Sequence, residues 1–462
     1  LFLSVLCLIS TVVIADTTIN ENTTYSDDVL FQDETVIINA NISCIENSTI
    51  SFINCNVHIG IIGSNAPVGI KISNNASLFV RDSNFTKLIT GSSYHLSIDT
   101  VGSIMIENST FLNNYGSLQL GVVSIRQASV VIERSLFQGN SGGLILQDIE
   151  SPMISNVTII SNGAYGIDIY NCSNTTVKDS AFKGFRDGTA LDIRSCPGFL
   201  VIRSSFTDNY IGIRSSGRTH SLVIRECDFL RNSGYAIRLE RGGIVPGPLI
   251  SNCIFTEDSF GISAQVSGGV NTPWAVESLT ISDCRFRFVD VGIECVGDDW
   301  TVQNNTFSYC LSGISVHYGE TIIINGNTFE DSIRNGINID DYSSNNKMHP
   351  IVTDNMFVGG SGFGISISTG GSVVVSLNVF RDLRGGCLFI VKAGIATILN
   401  NTFIDSPLGI NSWYSKVVIE NSRIIQCDVG IRCESGGTIN LVNASFSKTG
   451  VLVSVEDGIV TL

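Results

Sequence analysis

A short motif that ends in phenylalanine recurs through most of this sequence and constrains the fold more than any other feature. One copy lies between Thr321 and Asp341, TIIINGNTFEDSIRNGINIDD, where apolar residues alternate with polar ones on both sides of Phe329. Alternation with a period of two is typical of β-strands. The motif phenylalanine, or an isoleucine in its place, recurs every 21 to 31 residues, at Phe85, Phe111, Phe137, Ile159, Phe182, Phe206, Phe229, Phe255, Phe286, Phe307, Phe329, Phe357, Phe380, Phe403, Ile424 and Phe446. A repeat of this size buries its apolar side only by stacking on its neighbours, so the spacing predicts a parallel β-solenoid with one repeat per coil.

The position two residues before the phenylalanine supports stacking of the coils in register. It is occupied by a run of serines, then by three cysteines, then by five asparagines. The cysteines and asparagines are Cys227, Cys253, Cys284, Asn305, Asn327, Asn355, Asn378 and Asn401. An asparagine amide both donates and accepts, so stacked asparagines about 4.8 Å apart can hydrogen-bond along the column. We therefore expect an asparagine ladder.

Small residues form a second column, at the start of the strand that follows each motif. They are Gly166, Ala190, Gly212, Ala236, Gly261, Gly292, Gly313, Gly336, Gly364, Cys387, Gly409 and Gly430. Two explanations are open: either the backbone adopts a dihedral angle that a Cβ atom disfavours, or another segment approaches closely.

These N-x-F and G-I-x-I columns resemble the right-handed parallel β-helix of the pectin-lyase-like superfamily and its parallel β-helix repeat members. The resemblance covers the chain from about Ile50 to its end. It implies an all-β fold, a single-stranded right-handed parallel β-helix (β-solenoid) of about 16 to 17 coils of 21 to 31 residues. No Pro-rich, Ser-rich or charged linker interrupts the repeat, so we predict one β-helical domain over residues 50–462, preceded by a cap and first strands at residues 16–49.

The first 15 residues have the pattern of a secretory signal peptide. The stretch Leu1 to Ile14 is almost wholly apolar, and Val13 and Ala15 stand at the −3 and −1 positions before Asp16. Residue 1 is not methionine, so we expect this signal to be incomplete at its N-terminus; a buried terminal strand is the alternative. No other stretch has the roughly 18 apolar residues that a membrane span needs. We predict a protein that is secreted or lies on the extracellular face of the cell surface.

The far end of the sequence stops soon after a strand that begins at Val451, and no polar cap follows. We therefore expect this sequence to be truncated at the C-terminus and the natural protein to be longer. The net charge of −15 argues against nucleic acid or an anionic membrane as a partner. Extracellular glycans and surface proteins remain as partners, and the oligomeric state is not predicted.

Twelve cysteines remain after the signal, which in a secreted chain favours some disulfides. Cys172 and Cys196 each lie six residues after their small-column residue, in adjacent coils, where Cα atoms are on the order of 5 Å apart. We predict a disulfide between them. For the cysteine column at Cys227, disulfide pairing and simple apolar burial stay open. No C-x-x-C occurs, so no metal site is predicted.

Glycosylation sequons are frequent, although several arise from the repeat consensus itself. Seven do not, and five of these lie before Phe85. We predict surface glycosylation in a eukaryotic source at Asn22, Asn41, Asn47, Asn75, Asn84, Asn171 and Asn174.

Acidic, histidine and aromatic residues recur at similar places in three consecutive coils. Enzymes of the superfamily carry their catalytic groups on the outer face of a strand and in its following turn. The resemblance therefore implies these candidates: catalytic Asp299, His317, Asp340 and Asp341, with Trp300, Tyr318 and Tyr342 binding sugar rings. The alternative is that Asp-Asp is an ordinary turn sequence and that an exposed histidine is solvated surface.

Catalytic motifs of the superfamily do not support an enzyme. The polygalacturonase-like set Asn-Thr-Asp, Gly-His-Gly and Arg-Ile-Lys is missing, and no arginine is singled out as in a pectate lyase. The sequence thus favours a β-helix glycoprotein that binds glycans or other surfaces, or acts as a rigid rod. The alternative function is a polysaccharide lyase or glycoside hydrolase. No cofactor is expected, and calcium enters only under the lyase alternative.

Overall fold

The computed structural model describes residues 17–60, 68–88, 94–112, 123–140, 143–160, 164–240, 247–265, 276, 278–340 and 348–461. The chain divides into two compact units, Leu1–Asn209 and Tyr210–Leu462, called here the N-terminal and C-terminal units. The described residues form β-strands and no α-helix. The predicted signal peptide, residues 1–15, lies outside the described residues and stays a prediction.

Each coil contributes one strand to each of three parallel sheets. The Phe sheet contains the motif phenylalanines, the Gly sheet contains the strands that follow the motif, and the third sheet contains the strands between these two. In the described residues the strands pair in parallel, as for Phe307 with Phe329 and for Ile293 with Ile314. The pairing is in register except at one β-bulge, between Val291–Val296 and Ser312–Tyr318. The predicted all-β, right-handed parallel β-solenoid is thus confirmed.

In the N-terminal unit, the Phe sheet consists of Thr17–Ile19, Thr35–Ile38, Asn56–Ile59, Asn84–Lys87, Thr110–Leu112, Leu136–Gln138, Thr158–Ile160, Ala181–Lys183 and Ser205–Thr207. The Gly sheet consists of Thr23–Tyr25, Ile42–Cys44, Val68–Asn74, Tyr94–Thr100, Val123–Arg126, Leu144–Gln147, Tyr165–Tyr170 and Thr189–Arg194. The third sheet consists of Val29–Gln32, Thr49–Ile53, Ser77–Arg81, Ser103–Glu107, Ser129–Glu133, Met153–Ser155, Thr176–Lys178 and Leu200–Ile202. Regular parallel pairing therefore extends into residues 17–49, where a cap and first strands were expected.

In the C-terminal unit, the Gly sheet consists of Ile211–Ser216, Tyr235–Glu240, Phe260–Gln265, Val291–Val296, Ser312–Tyr318, Asn335–Asp340, Phe363–Ser368, Gly386–Val391, Leu408–Trp413, Val429–Glu434 and Val451–Glu456. The third sheet consists of Val223–Arg225, Leu249–Ser251, Thr280–Ser282, Trp300–Gln303, Ile322–Asn325, Ile351–Thr353, Ser372–Ser376, Ile395–Leu399, Lys416–Glu420, Thr438–Val442 and Ile459–Thr461. The Phe sheet consists of Asp228–Leu230, Ile254–Thr256, Arg285–Arg287, Thr306–Ser308, Thr328–Glu330, Met356–Val358, Val379–Arg381, Thr402–Ile404, Arg423–Ile425 and Ser445–Ser447.

Stacked apolar side chains fill the interior of each unit. In the C-terminal unit, the rings of Phe286, Phe307, Phe329 and Phe357 are buried, and successive centroids are 4.7, 4.8 and 4.7 Å apart. Burial of one such side chain contributes roughly 1.5–3 kcal/mol, and the parallel stacking holds the coils in one register.

The expected asparagine ladder is present in the C-terminal unit. The Nδ2 atom of Asn305 donates to Oδ1 of Asn327 at 3.0 Å, and Asn327 donates in the same way to Asn355. The ladder continues through Asn378 to Asn401, and all five side chains are buried. Each amide also donates to a main-chain oxygen, so these buried polar groups are satisfied within the ladder.

Close approach, and not an unusual dihedral angle, explains the small-residue column. A Cβ atom built on Gly292 would lie 2.6 Å from the main-chain oxygen of Gly313 and 2.7 Å from the ring of Phe307. The same two contacts, with Gly336 and Phe329, surround Gly313. The phenylalanine of one coil therefore fills the space that a side chain in the previous coil would need.

Candidate functional site

The predicted site lies on the outer face of the Gly sheet in the C-terminal unit and in the turn after it. Asp299 is exposed in that turn with φ of 57°. Asp298 is half-buried, and its Oδ1 accepts a hydrogen bond from the main-chain N of Glu320 at 2.6 Å. This bond ties the turns of two successive coils together. The first carboxylate thus has a structural role, and the second faces solvent.

Trp300 is a core side chain. It is fully buried at the start of a third-sheet strand, and its Nε1 donates to the main-chain oxygen of Val276 at 2.8 Å. The residue was predicted to stack on sugar rings at the surface, and the structure places its indole ring inside instead. Alternation along the strand explains this, because Trp300 and Val302 point inward while Thr301 lies between them.

His317 lies in a β-bulge. Cys295 pairs with Val316, but Val296 pairs with Tyr318, so one extra residue is accommodated at His317. Sequence spacing placed His317 in one column with Val296 and Asp340, but the bulge pairs Val296 with Tyr318 instead of His317. The bulge directs the imidazole toward the preceding coil, where its Nε2 lies 3.9 Å from Oε1 of Glu294.

Glu294 is a site residue that the sequence reasoning missed. Its side chain is 16% exposed, and Oε2 accepts a hydrogen bond from Oγ of Ser263 in the preceding coil. The sequence pattern could have indicated this residue, because Glu294 lies two residues after the column glycine Gly292, on the outward side of the same strand. A carboxylate held by a hydroxyl and close to an imidazole can accept or transfer a proton.

The structure describes only some of the other predicted site residues. Asp340 ends its Gly-sheet strand, and Oδ2 accepts a hydrogen bond from Nδ2 of Asn338 at 3.2 Å. Asp341 and Tyr342 lie outside the described residues, as does the side chain of Tyr318. The structure thus groups His317 with Glu294 and Asp340 with Asn338, and leaves the full predicted set untested.

Aromatic side chains lie on the outer face beyond this polar group. The rings of Phe363 and Phe389, in adjacent coils, are stacked with centroids 5.1 Å apart. Trp413, 38% exposed, follows in the next coil at 5.6 Å from Phe389, and its Nε1 donates to Oδ1 of Asn411 at 3.1 Å. The face therefore offers an apolar surface with polar atoms at its edges.

Aromatic side chains also lie on the other side of the polar group. Tyr235 and Phe260 have ring centroids 5.0 Å apart, and the guanidinium of Arg238 lies 4.9 Å from the Tyr235 centroid. Phe260 is one coil before Glu294, and Phe363 is three coils after it. The carboxylate of Glu294 and the imidazole of His317 thus lie between two groups of aromatic residues on the outer face of the Gly sheet. We call this outer surface of the C-terminal unit the Gly-sheet face.

Nothing among the described residues resembles a metal centre, since no three His, Cys, Asp or Glu side chains converge there. Nor does any helix in that part of the chain have the length and apolar character to cross a bilayer.

Comparison with known sequences identifies the family. The sequence matches the family described as "Right handed beta helix region" over residues 143–273, 273–416 and 349–460. The chain belongs to this β-helix family. A comparison with curated protein sequences gives no match.

Several solved structures share the fold of this β-helix protein. An alginate lyase from Paenibacillus sp. str. FPU-7 has 12% identity and a TM-score of 0.34, over 58% of this chain and 91% of that chain. The surface protein and adhesin PfbA of Streptococcus pneumoniae has 13% identity and a TM-score of 0.29, over 93% of this chain and 91% of that chain. The tailspike gp61 of Pseudomonas phage phi297 has 10% identity and a TM-score of 0.33, over 90% of this chain and 71% of that chain. At such identities the likeness concerns the fold alone.

The cysteines of the β-helix are buried thiols in the structure. Cys172 and Cys196 lie in adjacent coils of the N-terminal unit, and the main-chain N of Cys172 donates to Sγ of Cys196 at 3.3 Å. The side-chain hydrogen bond from Cys196, together with burial, raises the pKa of the Cys172 thiol far above its usual value. The disulfide between them stays a prediction.

All seven sequon asparagines predicted to carry glycans are exposed on the N-terminal unit of the β-helix. Three of them use Nδ2, the atom a glycan would modify, in side-chain hydrogen bonds: Asn75 to Asn47, Asn84 to Asn56 and Asn171 to Asp148. Exposure is compatible with modification, and glycosylation itself stays a prediction.

Proposed function

We propose that this protein binds an extended polysaccharide along the Gly-sheet face of its C-terminal unit. The observation that carries the proposal is the succession of Phe363, Phe389 and Trp413 in adjacent coils, together with Tyr235 and Phe260 on the far side of Glu294. The ring of Trp413 is exposed and the other four rings are half-buried, so this row leaves apolar surface partly open to solvent. Such a row is a costly use of surface unless a ligand covers it.

The spacing of the face suits a linear polymer. Adjacent strands of a sheet are about 4.8 Å apart, so side chains at paired positions of successive coils repeat at this interval. Rings offer apolar surface to the C–H groups of sugars, and the half-buried Asn338 and Ser366, which are in register, offer amide and hydroxyl groups to sugar hydroxyls. A chain of sugars lying along the coils would meet both kinds of group.

An extracellular setting supports the proposal. The signal-peptide pattern and the exposed sequon asparagines are both typical of secreted or surface-displayed glycoproteins. In that setting the partner is a glycan of a matrix or a cell surface. A rod that only spaces other parts would not need the aromatic row.

We expect Phe389→Ala and Trp413→Ala, together, to weaken polysaccharide binding at least about tenfold, because stacking residues at the centre of an interface carry most of its free energy. Screening on a glycan array first finds the ligand, and titration calorimetry then compares the variants. Tyr414→Ala is the matched control, since Tyr414 is 61% exposed in the turn after the same strand. Equal loss in the control, or none in the double variant, contradicts the proposal.

A second candidate function, cleavage of the bound polysaccharide, is favoured by one observation: the 3.9 Å separation of His317 Nε2 from Glu294 Oε1. In this proposal His317 and Glu294 act with Asp299, Asp340 and Asp341, the imidazole taking or giving a proton at the sugar. Calcium belongs to this candidate only, as a counter-ion for an acidic sugar.

If the protein cleaves its ligand, His317→Ala should lower kcat/KM by about 100-fold or more, within the range that a general acid or base contributes. Assays for reducing sugars and for unsaturated products, on uronic-acid and neutral polysaccharides, measure kcat/KM. The variants Asp341→Ala and Glu294→Gln are measured in the same assays. Asp354→Asn is the control, since Asp354 is exposed in the turn after the third-sheet strand Ile351–Thr353, away from the Gly-sheet face. Release of no product by the wild-type protein removes this candidate and leaves the binding proposal standing.

A further inference from the structure

In the C-terminal unit, the turn after each Phe-sheet strand begins with one residue in the left-handed region. In ten turns of the C-terminal unit this residue has φ between 48° and 69°. Eight of the ten are polar or glycine: Arg231, Glu257, Asp331, Gly359, Asp382, Asp405, Gln426 and Lys448. The other two are Phe288 and Tyr309. Bulky side chains are rare in this conformation, whereas Asn, Asp and Gly are tolerated.

Phe288 and Tyr309 are also exposed and in contact with each other. Their side chains are 48% and 47% exposed, and their rings are stacked with centroids 5.3 Å apart and planes 22° apart. Neither ring is part of the core. Two aromatic residues that replace polar ones in adjacent turns, in a strained conformation and facing solvent, indicate a surface kept for a ligand.

Two arginines lie beside the aromatic pair. Arg285 and Arg287 project outward from one Phe-sheet strand, both are exposed, and the guanidinium of Arg287 lies 4.8 Å from the ring centroid of Phe288. Neither arginine forms an ion pair with a described residue. Their in-register neighbours in the two adjacent strands carry no charge: Ile254, Thr256, Thr306 and Ser308.

Acidic side chains mark the borders of this patch. Glu257 lies in the turn one coil before Phe288. Glu330 lies two coils beyond Arg287, and its Oε2 accepts a hydrogen bond from Oγ of Ser308 at 2.8 Å. The exposed Asp283 and Asp290 flank the strand in the same coil, but neither forms an ion pair with its arginines. The unpaired positive charge therefore lies on the strand of Arg285 and Arg287, next to the rings.

We propose that Arg285, Arg287, Phe288 and Tyr309 form a second carbohydrate site, which takes an acidic sugar of a polysaccharide. A sugar carries an apolar C–H face that suits the exposed rings, and its carboxylate or sulfate group suits a guanidinium that has no other anion. On a chain of net charge −15, this local positive patch selects anionic over neutral glycans. The site is independent of the Gly-sheet face and of the function proposed for that face.

The test uses immobilised polygalacturonate, heparin and dextran as carboxylated, sulfated and neutral probes. We expect the wild-type protein to bind one or both acidic probes more tightly than dextran. Phe288→Asn with Tyr309→Asn should weaken acidic-probe binding at least about tenfold while the melting temperature stays equal or rises, because asparagine tolerates the left-handed conformation. Arg285→Gln with Arg287→Gln should remove most of the salt dependence of binding.

Tyr414→Asn is the matched control, since Tyr414 is an exposed aromatic residue with φ of 48° in another turn of the same unit. It should leave acidic-probe binding unchanged. The relative affinities for polygalacturonate and heparin tell which anionic group is recognised. Equal affinity for dextran, absence of binding to both acidic probes, or full binding by Phe288→Asn with Tyr309→Asn would overturn the proposal.

Discussion

Asn355→Ala should lower the free energy of unfolding by about 4 kcal/mol, because it interrupts the asparagine ladder at its centre. The Nδ2 atom of Asn355 donates to the main-chain oxygens of Ile324 and Thr353 and to Oδ1 of Asn378, at 2.8 to 3.0 Å. Its Oδ1 accepts from both the main-chain N and Nδ2 of Asn327. Alanine leaves several of these buried groups without a partner, and each such group costs about 1–3 kcal/mol. Urea unfolding followed by circular dichroism measures the change.

Asn335→Ala is the control for this prediction. Asn335 is half-buried at the start of a Gly-sheet strand in the same coil as the ladder residue Asn327, and we expect a change within about 0.5 kcal/mol. Hydrogen exchange should show faster opening of the coils next to residue 355 only in Asn355→Ala. An unfolding free energy equal to that of the control would mean that the ladder contributes nothing to stability.

Asp258→Asn should stabilise the protein at neutral and alkaline pH. Asp258 is 2% exposed in the turn after a Phe-sheet strand, and burial raises the pKa of its carboxyl group to about 7. Its Oδ1 accepts from the main-chain N and from Nδ2 of Asn232, at 2.7 and 2.8 Å, but Oδ2 is buried with no hydrogen-bond partner among the described residues. At the equivalent turn position of the N-terminal unit, Nδ2 of Asn140 donates to the main-chain oxygen of Phe111 at 3.1 Å. An asparagine at position 258 can use its Nδ2 in the same way and carries no charge.

The sign of the pH dependence follows from proton binding. An unfolded aspartate has a pKa of about 3.9, so between about pH 4 and pH 7 the folded protein keeps a proton at Asp258 that the unfolded chain has lost. The free energy of unfolding therefore falls as pH rises through this window, by about 1.4 kcal/mol per unit and on the order of 4 kcal/mol in total. Above about pH 7 both states are ionised at this site and the slope vanishes.

Chemical denaturation at pH 4, 6 and 8 tests this. Asp258→Asn and the wild type should have similar stability at about pH 4, and the variant should be the more stable at about pH 8. Asp290→Asn, an exposed carboxyl change in the next coil, controls for the general effect of removing a negative charge. Parallel stability curves for the wild type and Asp258→Asn across the whole range would show that Asp258 does not hold a proton in the folded state.

Much of the fold could be predicted from the sequence, because each coil repeats the same packing problem. The spacing of Phe307 and Phe329 gave the coil length, and the run of asparagines from Asn305 gave the register. The reason for the glycine column could not be chosen from the sequence, since it depends on where the phenylalanine of the next coil lies. Only the structure shows that the ring of Phe307 and the oxygen of Gly313 occupy the space beside Gly292.

The candidate site was harder to predict for a physical reason. Whether a side chain points in or out follows from alternation, and a single extra residue changes the relation between neighbouring coils. The bulge at His317 brought the imidazole toward Glu294, which the sequence reasoning had passed over, and alternation placed Trp300 in the core. The aromatic row of Phe363, Phe389 and Trp413 was missed because its members occupy different positions in their strands.

The like-residue columns of the C-terminal unit bear on how such a protein can evolve. Each coil is matched only to the one before and the one after it, so duplication of one complete coil between Asn327 and Asn378 would recreate the junctions already present on both sides. The outcome would be a Gly-sheet face longer by one step of about 4.8 Å. Gain or loss of whole coils in the gene would thereby adjust the length of the surface that we propose binds a polysaccharide, without redesign of any single contact.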